Sequence, residues 1–182
     1  MFIQRLRHGI ILAGLIVLAA ILGAQDTTVV LFRHGERQSL FDADSALSAA
    51  GLRRAQALVP LLASFQPVAA YTSDLRRTQQ TMAPAALQLG LTPLVRPKDG
   101  SRALAAEILR DQRGKTVLVC WHHDLMKQVV RGLGVQGPVP YWSIDTYDRL
   151  WIVRVPATGE ATLEVRQQAA SAPSAAAVAE SR

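Results

Sequence analysis

Two stretches of this chain, TTVVLF (27–32) and VLVCW (117–121), run through β-branched, aliphatic and aromatic residues with almost no polar interruption. A strand with one wet face alternates apolar and polar residues, because successive side chains point to opposite sides of the sheet. A strand without that alternation has to be covered on both faces, as in a parallel sheet with helices above and below it. The intervening segments suit that arrangement. LSAAGLRRAQALVPLLASF carries Leu52, Ala55, Leu58, Val59 and Leu62 at helical spacing, with Ser48 placed to cap the start and Pro60 expected to kink or shorten the end. VAAYTS reads as a short strand, DLRRTQQTMAPAALQLG as a helix stopped by Gly90, and LTPLV as a further strand. SRALAAEILRDQRG reads as a helix opened by Ser101 and closed by Gly114, and HDLMKQVVRGLG as another. YDRLWIVRV and ATLEVR, separated by PATGE, read as a C-terminal β-hairpin. The expected fold is α/β: a three-layer sandwich with a mostly parallel sheet, helices on both faces and a C-terminal hairpin.

The two ends of the 182 residues stand apart from this pattern. Residues 1–24 open with Arg5, Arg7 and His8, continue as an apolar run from Gly9 to Ala24, and contain no acidic residue. That is the layout of an export signal, and Leu22-Gly23-Ala24 is an imperfect small-x-small cleavage site. The run is short for a membrane span of about 20 residues. Two readings of it stand, a cleaved signal giving an exported (periplasmic or secreted) protein and an uncleaved anchor. From Gln167 the chain is rich in Ala, Ser and Gln without periodicity and reads as a disordered tail, so the expected organisation is 1–24, a single domain over 25–166, and a tail over 167–182.

The net charge of +6 suits an anionic substrate, and no run of Lys or Arg exceeds two, so nucleic acid is not expected as a partner. The single cysteine, Cys120, rules out an intramolecular disulfide and a metal site built from several of this chain's cysteines. No metal and no cofactor are expected.

Arg-His-Gly occurs twice, at 7–9 and 33–35. The first copy lies where the basic flank meets the apolar run and is a coincidence of composition. The second follows directly on the buried strand 27–32. In open α/β sheets, ligands bind just beyond the carboxyl ends of the strands. Gly35 allows a tight turn or a close backbone approach there. Two more strand ends carry chemistry: strand 68–72 runs into TSDLRRTQQT and strand 116–121 into His122-His123. Parallel strands joined by ordinary crossovers bring all three to one edge. The pooled histidines and arginines suit phosphoryl transfer to a neutral imidazole, with guanidinium groups on the phosphoryl oxygens.

At these residues the chain resembles the histidine phosphatase superfamily, which includes the cofactor-dependent phosphoglycerate mutases. VVLFRHGE looks like its first signature, LSAAGLRRAQALVPLL like the helix that follows, YTSDLRRTQQT like its second arginine motif, and TVLVCWHH like the strand delivering a second histidine. The resemblance runs from about Thr27 to about Val155 and looks like a compact member of the mutase-like branch. It implies His34 as the nucleophile that becomes phosphohistidine and Arg33 on the phosphate oxygens. It implies Arg77, rather than its neighbour Arg76, as the second arginine. The second histidine is His122 by its distance from the strand, since the five residues Val117–Trp121 already fill a strand of ordinary length. His123 remains the alternative, because it forms the His-Asp pair found in the acid-phosphatase branch together with Asp124.

The general acid is open. The mutase-like branch points to Asp99, which equally suits turn chemistry. Asp124 is a second candidate, and some compact members have no clear acid. Glu107 reads as a solvated helix residue. The function expected is a metal-independent phosphomonoesterase acting on phosphate esters or phosphohistidine, small or carried on a protein. The scarcity of loops predicts an open, tolerant site. A mutase-like phosphotransferase and a non-catalytic phosphoanion-binding module are the alternatives.

Overall fold

The computed structural model describes residues 25–168. The export signal or anchor read in 1–24, and the tail beyond 168, lie outside the described residues. Six strands and four helices follow in the order β1 (Thr27–Arg33), α1 (Ala49–Ala63), β2 (Ala69–Ser73), α2 (Arg76–Leu89), β3 (Leu94–Arg96), α3 (Ser101–Asp111), β4 (Thr116–Trp121), α4 (Met126–Gly132), β5 (Arg149–Val155) and β6 (Thr162–Gln167). They form one mixed sheet in the order β3-β2-β4-β1-β5-β6. The pairs β2–β3, β2–β4 and β1–β4 are parallel, whereas β5 runs antiparallel to both β1 and β6. No helix among the described residues is long and apolar enough to cross a membrane.

The unbroken apolar runs have a direct cause. β1 and β4 lie at the centre of the sheet, and their alternate residues enter two different cores. Val29, Leu31, Val117 and Val119 pack with Leu104 and Ile108 of α3 and Val129 and Val130 of α4. Val30, Phe32, Leu118 and Cys120 pack with Leu58 and Leu62 of α1 and Met82 and Ala85 of α2. Both faces are buried, so neither can be polar.

Several local features depart from the expectations drawn from sequence. α1 begins as read, with Ser48 Oγ accepting from the Gly51 amide, but it continues three residues beyond Pro60. Pro60 lacks the N–H that would bond the carbonyl of residue 56, and its ring crowds that carbonyl, yet the last turn of the helix continues past it. Leu52 is half exposed, and Gly51 takes the buried position beside it. Ser101 is the first residue of α3 but not its side-chain cap. Its hydroxyl accepts from the Trp121 indole instead. Glu107 is not a solvated residue, because it forms a two-pronged pair with Arg96 of β3. β6 extends to Gln167, and the Gln168 amide donates to the Asp148 carbonyl, so the ordered pairing passes the expected boundary at 166 by two residues.

Candidate active site

The parallel register Arg33↔Trp121 and Thr72↔Cys120 brings the carboxyl ends of β1, β2 and β4 together. Arg33 is the last paired residue of β1 and His34 follows it, His122 follows the last residue of β4, and Arg77 comes from the first turn of the helix after β2. Arg33, His34, Arg77 and His122 thus come to line one cavity of about 190 Å³, together with Arg37, Lys98, His123 and Asp124. Four cationic side chains face a single carboxylate there. Among the described residues no group of three or more His, Cys, Asp or Glu side chains is placed to hold a metal ion.

His34 is 3% exposed, and its Nδ1 lies 2.7 Å from the Gly35 carbonyl oxygen. A carbonyl only accepts, so Nδ1 carries the proton of the neutral ring and Nε2 keeps its lone pair. Burial is the main force holding the ring neutral, and the nearby Arg77 and Arg33 add to it, which brings its pKa down to about 3. His122 is 2% exposed, with its ring centroid 5.3 Å from that of His34 and its Nε2 2.8 Å from Ser73 Oγ. Burial first, then the neighbouring His34 and Arg77, lower its pKa to about 2. Two neutral imidazoles therefore sit among four cations.

The two arginines are held by backbone. Arg33 Nη1 donates to the carbonyls of Ser143, Ile144 and Thr146, at 2.9 Å for the last, and Nη2 donates to the Tyr147 hydroxyl at 3.2 Å. The Tyr147 ring lies under the guanidinium at 3.9 Å, a cation–π contact. Arg77 Nη1 donates to the Ala43 carbonyl at 2.9 Å. The Nε atoms of both arginines are buried and have no hydrogen-bond partner among the described residues. Arg76, by contrast, points to the surface, where it pairs with Asp42 and Asp44. The same helix start thus sends one arginine into the cavity and the next one out.

Gly35 is needed for a different reason from a turn. A Cβ on it would lie 2.9 Å from both Cα and the carbonyl oxygen of Gly51, so the loop after β1 presses directly on the first turn of α1. The next residue, Glu36, is pinned by Arg54 of α1 through two-pronged hydrogen bonds. Although burial alone pushes its carboxyl up, those bonds hold it below the usual carboxylate range.

Asp99 is not brought into this group. It sits in an exposed turn, Pro97–Gly100, closed by the Gly100 amide on the Pro97 carbonyl, while the preceding Lys98 lines the cavity. Asp74 Oδ1 accepts from the Lys98 amide and ties that turn to the end of β2. His123 does line the cavity beside His122, with more exposure, and its Nδ1 is 3.9 Å from Asp124 Oδ1. The sequence reading missed Arg37, Lys98, Ser73 and Tyr147. Arg37, four residues past the end of β1, follows the motif and carries the right charge. Tyr147 precedes β5 by two residues and nothing in its sequence setting points to Arg33.

Residues 29–99 match the family model described as histidine phosphatase superfamily (branch 1). No curated protein matches the chain. Among solved structures, "Mycobacterial hydrolase 1" superposes with a TM-score of 0.63 at 18% identity, covering 81% of this chain and 100% of its own. A mycobacterial glucosyl-3-phosphoglycerate phosphatase in complex with VO3 gives a TM-score of 0.60 at 18% identity, covering 79% and 99%. A phosphoserine phosphatase from Entamoeba histolytica, in complex with 3-phosphoglyceric acid, gives 0.61 at 14% identity, covering 79% and 98%. At such identities these likenesses concern the fold. The sequence match spans β1 with its Arg-His-Gly-Glu end, α1, β2 and the second arginine motif, and over that stretch the chain is similar to the histidine phosphatase superfamily, branch 1.

Proposed function

We propose that this protein hydrolyses small phosphomonoesters through a covalent phosphohistidine on His34. The observation that carries the reading is that Arg33 and Arg77, whose buried guanidinium Nε atoms have no hydrogen-bond partner among the described residues, line the same cavity as His34, a neutral imidazole whose Nε2 keeps its lone pair. A buried donor without an acceptor costs about 1–3 kcal/mol. Two such donors in one cavity suit an oxyanion whose oxygens take both hydrogen bonds.

In the first step Nε2 of His34 forms a bond to phosphorus as the bond from phosphorus to the alcohol oxygen breaks. Arg33, Arg77, Arg37 and Lys98 neutralise the charge on the non-bridging oxygens, which is the electrostatic part of catalysis. Asp124 is the carboxyl group among the lining residues. Its acid form gives the proton to the leaving oxygen. In the second step the Asp124 carboxylate takes a proton from water as the water oxygen attacks phosphorus, and the N–P electron pair returns to Nε2. Ser73 fixes the ring of His122 beside the phosphoryl group. No metal takes part in this scheme. The names of the neighbouring structures, phosphatases of small phosphorylated compounds, support the substrate class.

The test is p-nitrophenyl phosphate turnover by the wild type and by His34→Ala, each with and without excess EDTA. Turnover is expected in the wild type regardless of EDTA, with acid-labile, base-stable phosphate trapped on the protein. The variant should retain its fold and lose activity by a factor of a thousand or more. Activity within about tenfold of the wild type, a loss under about 1.4 kcal/mol of transition-state stabilisation, would rule out His34 as the nucleophile.

A further inference from the structure

A second cavity of about 230 Å³ adjoins the phosphoryl site, and His123 and Asp124 line both. Its other walls differ in kind. They are built by Tyr141, Trp142 and Trp151, with Lys127 at one side. The Trp142 and Trp151 rings lie 4.9 Å apart at 54°, and both residues are buried. Trp142 is pinned by its indole N–H on the Thr146 carbonyl, within the same loop that holds Arg33. The indole N–H of Trp151 is buried with no partner among the described residues. Among the described residues four such buried side-chain atoms occur, and three belong to residues lining these two cavities: Arg33, Arg77 and Trp151.

We propose that this second cavity receives the leaving-group alcohol, and that the preferred substrate is a phosphomonoester whose alcohol carries an aromatic ring. The inference rests on the phosphatase reading of His34 and adds the substrate class. An ester with its phosphorus at His34 must extend past the residue that protonates its leaving oxygen, and Asp124 stands at the junction of the two cavities. A cavity of about 150 Å³ accommodates benzene, so the volume here suffices for one ring and its linker. Aromatic walls set at a tilt favour a flat ring through edge-to-face and offset contacts. Small sugar acids, rich in hydroxyl and carboxylate groups, find one cation and few acceptors here. The loop 138–147 thus serves both halves of the substrate: its carbonyls orient Arg33, and its aromatic residues line the leaving-group cavity. This narrows the open, tolerant site expected from the scarcity of loops.

Aryl phosphates react faster for chemical reasons alone, so the comparison needs alcohols of nearly equal acidity. The experiment measures kcat/KM of the full chain for 2-phenylethyl phosphate and for ethyl phosphate. A preference of tenfold or more for the phenylethyl ester is expected. Val139→Trp, which fills the cavity from a lining position, should bring the ratio to within threefold of one. Should that variant fail to fold, Tyr141→Ala removes a side chain that is 79% exposed and should lower the ratio at least threefold. A wild-type ratio below three, with His34-dependent turnover of ethyl phosphate, overturns the cavity assignment and leaves the phosphatase reading standing. A preference that survives both substitutions also overturns it. Absence of turnover on either ester and on p-nitrophenyl phosphate removes the phosphatase reading, and this inference with it.

Discussion

Lowering the pH from 7 to 5 should destabilise this protein by about 4 kcal/mol through two buried histidines, about 2 kcal/mol each. The sign follows from which state binds the proton. In the unfolded chain His34 and His122 titrate near the ordinary value of 6.5, whereas in the folded chain burial and neighbouring cations lower them to about 3 and about 2. Below pH 6.5 the unfolded state therefore takes up protons that the folded state refuses, and stability falls by about 1.4 kcal/mol per pH unit per histidine until the folded pKa is reached. The magnitude between pH 7 and 5 depends little on how low the folded values are. Any folded pKa below about 4 leaves both rings neutral at pH 5, and only the unfolded-state titration then counts. Glu36, whose folded pKa is depressed, loses its contribution lower on the scale, mostly below this window. The assay is urea unfolding in phosphate-free buffer at the two pH values, on the wild type and on His34→Asn. The wild type should lose about 4 kcal/mol and the variant about half of that. Equal losses in the two proteins would refute the argument for His34. A wild-type loss below about 1 kcal/mol would mean that neither ring is held neutral in the fold.

Three other perturbations probe separate parts of the site. Asp124→Asn should reduce kcat for alkyl phosphates by about a hundredfold, whereas Asp99→Asn, in its exposed turn, should stay within threefold; the reverse pattern would restore Asp99 as the acid. Gly51→Ala should destabilise the fold by about 2 kcal/mol, measured by urea midpoint, because its Cβ would meet the Glu36 carbonyl oxygen at 2.4 Å; an unhindered helical Gly→Ala would instead gain about 1 kcal/mol. A chain starting at Gln25 should be soluble and fully active, and His8→Ala should leave activity unchanged, because the chemistry is assigned to Arg33-His34-Gly35; a folded but inactive truncation would bring the first Arg-His-Gly back into question.

What could be read from the sequence divides along a physical line. Strand ends could be read because burial on both faces leaves an unbroken apolar run from Val29 to Phe32 and from Val117 to Trp121, and the first polar residues past such a run emerge at the sheet edge. That logic located Arg33, His34 and His122, whereas the choice of Arg77 over Arg76 at the helix start after β2 came from the resemblance to the family's second arginine motif. Asp99 could not be separated from Lys98 in the same way. Both follow the short, poorly buried β3, and the turn Pro97–Gly100 decides which one faces the cavity. Pattern reading has no access to a turn's rotation about a three-residue strand. Glu107 was misread for a related reason, since its partner Arg96 lies on an edge strand whose neighbours in space are not its neighbours in sequence.

The residues that hold the site were less visible than those proposed to act in it, and Arg33 shows why. Its guanidinium is oriented by the carbonyls of Ser143, Ile144 and Thr146. A carbonyl is present at every position in the chain, so no residue type announces it. Only Tyr147 adds a side chain to this set, and Arg54, whose guanidinium lies 5.8 Å from the centroid of the same ring, in turn pairs with Glu36 of the Arg-His-Gly-Glu motif. Glu36, Arg54, Tyr147 and Arg33 therefore form one connected chain of charge and aromatic contacts from the motif's last residue back to its first. The loop after β1 is thus closed twice, by the Gly35–Gly51 backbone contact and by this chain. Both fasten His34 to α1 and to the segment before β5, elements that lie far apart in sequence. The nucleophilic role proposed for His34 requires it to be held within a fraction of an ångström, and the residues supplying such cross-links need only the right position.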